Sequence, residues 1–486
     1  MAHCSAVLRR LVGYTAVMFG ASTVTGLLSF AVNALGMSLL TKDTYGDYVT
    51  YVLIYSVGQG FFIFGVNQCI QREASDDPVA RLRFIKLAYL GFAALLGVSL
   101  LVAVPVAYVY DATLALGVVA LPFVVVAWWC RYVVRSQLDA KREAFFNSIA
   151  SLGTTVFQLG FLLLSSYTAS LVYGDFLAQC AAAIIPMMLM PQSQGVSFRE
   201  ILRTPIPREF LRRNFEQAKP NWLSGQVSVA AQTFTMAWSR ATLGAAALGS
   251  LSAMNMIWNF ALKPMDQLAQ AALPGLVTAK ERRGQLHREL MVLCMVAFPM
   301  LGAGVALGTP LLLEVLKLRE KYGELPPFII VMAAAVPVGV FQMIHNQLAV
   351  ARGDSRFTLY GQLGQLVGVG LATVTLMGPL GLMGGVIAGA VGVAVNAAVL
   401  FWCMRDDPVH DVRLAARWTA LGTVGVVLAM LPYYPLRDER WVWVTAFAVP
   451  VLYGAAMMLF RVLTVADLRR VWGLVQARRA ARAARG

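Results

Sequence analysis

Charge is scarce in this 486-residue chain: Asp, Glu, Lys and Arg together make up only 13% of it. Soluble domains carry about 25% charged residues, and no soluble domain of useful length is left over here. Carboxylates are the rarer sign, 25 against 40 Lys and Arg, so the formal net charge is +15. Cysteine is limited to six residues with no CxxC spacing, which argues against a disulfide framework or a zinc site. Cys69, Cys130, Cys180, Cys294 and Cys403 read as small apolar fillers within or at the ends of spans. No nucleophile–base pair, DxD-like metal site or phosphate-cradling glycine loop is present. The connections are short as well, the longest on the outer side being about 314–326, so little chain is left to build an enzyme site outside the spans.

Apolar sequence fills the space that charge leaves. Hydrophobic residues are 58% of the chain and the mean hydropathy is +0.66. Segments of about 20 apolar residues, each long enough to cross a hydrocarbon core of about 30 Å, recur from end to end. They lie near 12–40, 45–70, 85–109, 114–134, 147–167, 170–190, 220–241, 250–276, 290–313, 327–350, 358–377, 381–403, 415–432 and 441–461. The expected fold is therefore an all-α polytopic membrane protein with about 14 transmembrane helices. Arg9 and Arg10 precede a first segment too long for a cleavable signal. With the N-terminus inside, the inner segments collect 32 of the 40 basic residues and the outer connections seven, which leaves Lys263 within a span. This places the protein in the cytoplasmic (inner) membrane with both termini cytoplasmic. The positive charge then serves topology and contact with anionic lipid, with no nucleic-acid partner. The basic tail 464–486 reads equally as an amphipathic surface helix or as a solvated segment.

Lys263 is the anomaly. A charge at the bilayer centre costs roughly 2.5–3.5 kcal/mol on insertion scales. At 1.5 Å per residue from the outer end near 250, it lies about 20 Å down. Asn255, Asn259, Lys263, Asp266 or Gln267, and Gln270 recur every three or four residues, so one helix face is polar. Three explanations stay open: Lys263 pairs with Asp266, or it binds an anionic group such as a diphosphate as a point charge, or Asp266 couples transport to an ion. Pro264 removes one backbone hydrogen bond and predicts a kink beside the lysine. Polar faces recur elsewhere, at Ser22, Thr25, Ser29 and Asn33 in the first span, at Asn221, Gln226, Gln232 and Arg240 in the seventh, and at Gln342, His345, Asn346 and Arg352 in the tenth. From these the candidate cavity residues are Lys263, Asp266, Asn259, Asn255, Gln267, Gln232, Arg240, Gln342, Asn346, Asn33 and Ser29. The ion-coupling candidates are Asp266, Asp175 and His345. No metal and no cofactor is implied.

The inner connections "RSQLDAKREAFFNSIASLG" from Arg135 and "HNQLAVARGDSRFTLYGQLG" from His345 align with one inserted residue, matching Gln137 to Gln347, Leu138 to Leu348 and Arg142 to Arg352. A parallel repeat of six spans places a substrate site between the halves near the midplane. The expected organisation is an N-terminal six-helix lobe (1–190), an inter-lobe linker (191–219), a C-terminal six-helix lobe (220–404), an added helix pair (405–463) and the basic tail. Gly381, Gly385 and Gly389, with Gly384 and Gly392, form a small-residue stripe read chiefly as helix packing.

Three stretches together carry a family resemblance. "LLTKDTYGDYVTYVLIYSVGQGFFIFGVNQCIQREAS" (39–75) resembles the first outer loop and second span of polysaccharide-biosynthesis flippases of the multidrug/oligosaccharidyl-lipid/polysaccharide exporter superfamily, the O-antigen type included. Tyr45, Gly46, Tyr48, Gly65 and Arg72 match that pattern, while its leading Leu-Gly is Leu40-Thr41 here. The stretch 240–276 resembles the junction of the seventh and eighth spans, with Gly249 in place and Ser239-Arg240 where an acidic residue is common; 359–396 resembles the eleventh and twelfth. The resemblance implies two six-helix lobes around a central cavity of alternating access. It also implies translocation of a polyprenyl-diphosphate-linked oligosaccharide for surface polysaccharide biosynthesis, beside membrane lipids and a polysaccharide polymerase machinery. A cation-coupled multidrug exporter of the same superfamily is the alternative, and an integral-membrane polysaccharide polymerase or ligase a third reading of another class.

Overall fold

A computed structural model describes residues 26–459 apart from short stretches around 64–76, 110–111, 138–139, 165–167, 279–282, 408–410 and 431–441, and apart from the side chains of some helical residues. Asp266, Gln267 and Gln270 are among those side chains, and Arg72 and the tail 464–486 also lie outside the description. The described chain is helical throughout. Fourteen long helices follow one another: α1 (Gly26–Leu39), α2 (Lys42–Phe62), α3 (Pro78–Val109), α4 (Ala112–Ser136), α5 (Ala140–Leu164), α6 (Thr168–Gln194), α7 (Arg208–Leu243), α8 (Ala245–Thr278), α9 (Arg283–Val315), α10 (Leu325–Arg352), α11 (Ser355–Leu380), α12 (Leu382–Met404), α13 (Val412–Met430) and α14 (Val442–Leu459). Two short helices, Phe198–Arg203 and Arg319–Tyr322, sit in connections.

Each long helix falls on one predicted span. Ten of them are long and apolar enough to cross a membrane. The other four are α1, α2, α7 and α14, and two of these differ for a visible reason. Helix α7 sends Gln226 to Gly60 O (2.6 Å) and Trp222 Nε1 to Phe61 O (2.8 Å), backbone carbonyls in the last turn of α2, and both helices turn polar side chains such as Ser56 and Gln232 to the interior. Helix α8 continues through Pro264 without interruption.

Helices α2 to α6 pack among themselves, and α7 to α14 form a second group in which α13 and α14 lie against α9 and α10. The groups meet through α2, which packs on α8 and α7. Thr41 starts α2 by accepting from Thr44 N–H (3.2 Å), a cap worth about 1 kcal/mol. Gly46 and Gly249 let α2 and α8 touch backbone to backbone. A Cβ on Gly46 would collide with Ala245 O, and one on Gly249 would lie 2.7 Å from Lys42 O. In the small-residue stripe, Gly384 and Gly392 are filled by α11 as packing requires and a Cβ on Gly385 would lie 2.7 Å from the Met377 side chain, whereas Gly389 has open space beside it at the central cavity.

Candidate functional site: a polar cavity between two helix groups

A cavity of about 1240 Å³ lies between the two helix groups, and both contribute to its wall. Helix α1 supplies Ser29, Phe30 and Asn33. Tyr45, Tyr48 and Ser56 come from α2, Gln158 from α5, and Asp175 and Gln179 from α6. The second group gives Gln232 of α7, Asn255, Trp258, Asn259 and Lys263 of α8, Gln342 and Asn346 of α10, and Gln365 of α11. The predicted residues Ser29, Asn33, Asp175, Gln232, Asn255, Asn259, Lys263, Gln342 and Asn346 thus meet in one place.

Two predicted members lie elsewhere. Arg240 pairs with Asp47 (2.7 Å) at the end of α7, since its long side chain reaches the helix end and finds a carboxylate there. His345 is fully buried, its Nδ1 2.8 Å from Phe341 O and its ring edge-on to His287 (4.9 Å between centroids). It precedes the cavity-lining Asn346 by one position, and the helical twist of about 100° per residue turns it away from the face that carries Gln342 and Asn346. The side chains of Asp266 and Gln267, and with them the proposed Lys263–Asp266 pairing, lie outside the described residues.

Lys263 is half-buried, and its Nζ reaches α1: a Cβ on Gly26 would lie 3.2 Å from it. The Phe30 and Phe260 rings pack beside this contact with centroids 5.4 Å apart. On the opposite group Asp175, only 2% exposed, accepts from Gln158 Nε2 (2.8 Å) and Gln179 Nε2 (3.4 Å). Among the described lining residues these two are the only charged ones. The rest of the polarity is neutral: nine carboxamides, hydroxyls, and the rings of Tyr45, Tyr48 and Trp258. Gln365 organises part of it, accepting from Gln342 Nε2 (3.1 Å) and from buried Asn396 Nδ2 (2.8 Å). Sequence reading missed Gln158, Gln179 and Gln365. The signal for the last was there, because Thr358, Gln362 and Gln365 share a face at helical spacing.

Near one end of the cavity a clasp of polar contacts ties the two helix groups together. Lys42 at the start of α2 pairs with Glu324 before α10 (2.6 Å), and Ser250 of α8 donates to the same carboxylate (2.8 Å). The Lys42 ammonium also lies 5.2 Å from the centroid of the Tyr322 ring. Lys321 donates to Met37 O (2.7 Å) and to Leu40 O, and the Arg240–Asp47 pair stands alongside. Burial by itself raises the Glu324 carboxyl, but hydrogen bonds from Lys42, its own backbone and Ser250 outweigh it and hold it below the usual carboxylate range. Burial, and then the neighbouring Lys42, lower the Lys321 ammonium.

No family model and no curated protein sequence matches this chain significantly. Solved structures do. An outward-facing multidrug resistance MATE transporter of the MOP superfamily superposes with TM-score 0.64 at 16% identity, covering 84% of this chain and 96% of its own. The fold is that of the MATE transporters. A point mutant of the Vibrio cholerae MATE transporter VcmN gives TM-score 0.63 at 14% identity, with 84% of this chain and 99% of that one covered. A MOP superfamily transporter from Pyrococcus furiosus, described as having a binding pocket of reverse polarity that suggests a different function, gives 0.62 at 15% identity over 82% and 94%. These matches leave about a sixth of this chain uncovered.

Proposed function

We propose that this protein is an alternating-access exporter of the MOP superfamily in the cytoplasmic membrane, and that its cargo is a lipid-linked oligosaccharide. The clasped end faces outside, as the basic residues crowd the opposite end. The lining of the cavity carries the reading. Nine carboxamides and five aromatic rings around a single cation suit hydroxyl-rich sugar rings, and Lys263 suits the diphosphate. The polyprenyl chain needs only the surrounding lipid.

A second reading is supported by a structural neighbour described as a multidrug resistance transporter, and by Asp175. In a cation-coupled drug exporter this buried carboxylate would exchange a proton or sodium ion for a cationic drug. Lys263 in the same cavity opposes a cationic cargo, and the two readings separate experimentally. Purified protein in proteoliposomes is given either a fluorescent polyprenyl-diphosphate-linked sugar or a cationic dye. Flipping of the lipid-linked sugar is expected, reduced at least about tenfold by Lys263→Ala and partly kept by Lys263→Arg, in line with loss of a charge-assisted phosphate contact. Dye efflux without flipping, unaffected or accelerated by Lys263→Ala, would replace this reading by the second.

A further inference from the structure

A second cavity, of about 300 Å³, opens at the other, basic end, where the first turns of α9 meet those of the added helix α13. Its wall holds Gln285, His287, Arg288 and Met291 from α9 and, from the other side, Asp411, Leu414 and Trp418. The Arg288 guanidinium lies 6.0 Å from the centroid of the Trp418 ring, near the limit of a cation–π contact that orients it. Arg288 is exposed and forms no salt bridge among the described residues. One Asp411 oxygen accepts from Leu414 N–H (2.9 Å) and caps α13, and its second oxygen stays available as an acceptor. Met291, Leu414 and the mostly buried Trp418 give the cleft an apolar floor.

The position narrows the occupant. Arg283–Val315 and Val412–Met430 are both apolar enough to span a membrane, so a cleft between their first turns lies at headgroup depth. Tryptophan is enriched at that level. The volume is at the low end of small-molecule pockets, about 300–1,000 Å³. One cation and one carboxylate across a small cleft match a zwitterion rather than an anion. A primary ammonium, with three N–H donors, can hydrogen-bond to Asp411, as a quaternary one cannot. We propose that this cleft holds the headgroup of phosphatidylethanolamine, the phosphate on Arg288 and the ammonium on Asp411. The added helix pair would thus anchor the transporter to a lipid of the surrounding leaflet, independently of the cargo in the central cavity.

The test is native mass spectrometry of the full chain in detergent, titrated with phosphatidylethanolamine or phosphatidylglycerol. Wild type is expected to bind the first at least about fivefold more tightly, since only that headgroup uses both charges. Arg288→Gln should weaken both lipids about tenfold. Asp411→Asn keeps the helix cap, because Asn caps as well as Asp, yet should abolish the preference between them. Unchanged melting of both variants in the lipid-free state shows that they fold. Equal binding of the two lipids by wild type, or wild-type phosphatidylethanolamine binding by both variants, overturns the proposal.

Discussion

Replacing Glu324 by Gln should loosen the clasp and let the cavity open at that end. The magnitude follows from exposure. The Lys42 and Glu324 side chains are 28% and 36% exposed, so their attraction is partly screened. Wet ion pairs are worth about 0.2–1 kcal/mol. The upper end applies here, about 1 kcal/mol, because Ser250 donates to the same oxygen. That is about a fivefold change in the ratio of closed to open. The Arg240–Asp47 pair is wetter, 39% and 52% exposed, and adding Asp47→Asn contributes about 0.4 kcal/mol more. Together the two changes approach tenfold.

A thiol placed beneath the clasp reads the open fraction. With the six native cysteines replaced, Ser252→Cys in the cavity wall is labelled by a charged maleimide added from the clasped side. While the open state is minor, the labelling rate follows its population. The expected rates are about fivefold higher for Glu324→Gln and tenfold for the double variant at low salt, with smaller differences in about 1 M salt. Because the Glu324 carboxyl is lowered in the closed form, the clasp holds at and above the ordinary carboxylate range. It is lost only as pH falls through that lowered value. Wild-type labelling should therefore rise only as the pH falls below the ordinary carboxylate value, and Glu324→Gln should lack the part of that rise that comes from Glu324. An unchanged rate in the double variant at low salt would show that these pairs do not hold the outer end shut.

Three further outcomes follow from the same geometry. Asp175→Asn keeps an acceptor for Gln158, so folding should survive while uphill transport falls to the level of passive exchange; gradient-driven and gradient-free uptake into proteoliposomes separate the two. Arg135 and Glu143 form a buried pair at the α4–α5 turn (2.6 Å; 5% and 1% exposed), so Arg135→Ala should lower stability by about 3–5 kcal/mol, seen as a large fall in detergent melting temperature. Gly46→Val drives a side chain into Ala245 O and should raise labelling of Ser252→Cys more than Glu324→Gln does, without loss of membrane insertion.

The helical architecture was legible because the bilayer imposes length and apolarity on each span, and every long helix sits on an apolar run. Helices α2 and α7 satisfy that pattern less well because much of their surface meets protein or cavity instead of lipid. The glycines of the resemblance, Gly46 and Gly249, acquire a physical meaning only in three dimensions. They stand opposite each other where α2 and α8 cross, and no one-dimensional pattern says which glycine faces which backbone.

The site was half legible for a related reason. The face Asn255, Asn259, Lys263 follows from helical periodicity alone, and all three line the cavity. Residues joined across the α5–α6 hairpin, such as Gln158 and Asp175, are 17 positions apart and show no periodic relation. Arg240 and His345 had suitable chemistry but the wrong depth or angle. A cation at a helix end was met by Asp47, and a histidine one step round from Gln342 and Asn346 turned into the packing between α9 and α10. What distinguishes Lys263 is its depth together with a glycine opposite. Gly26 leaves the room that its ammonium occupies against α1, so any side chain at position 26 should press on the lysine. Gly26→Val should therefore reduce flipping nearly as much as Lys263→Ala does. If flipping stays at the wild-type level in Gly26→Val, the position of the ammonium against α1 has no part in transport.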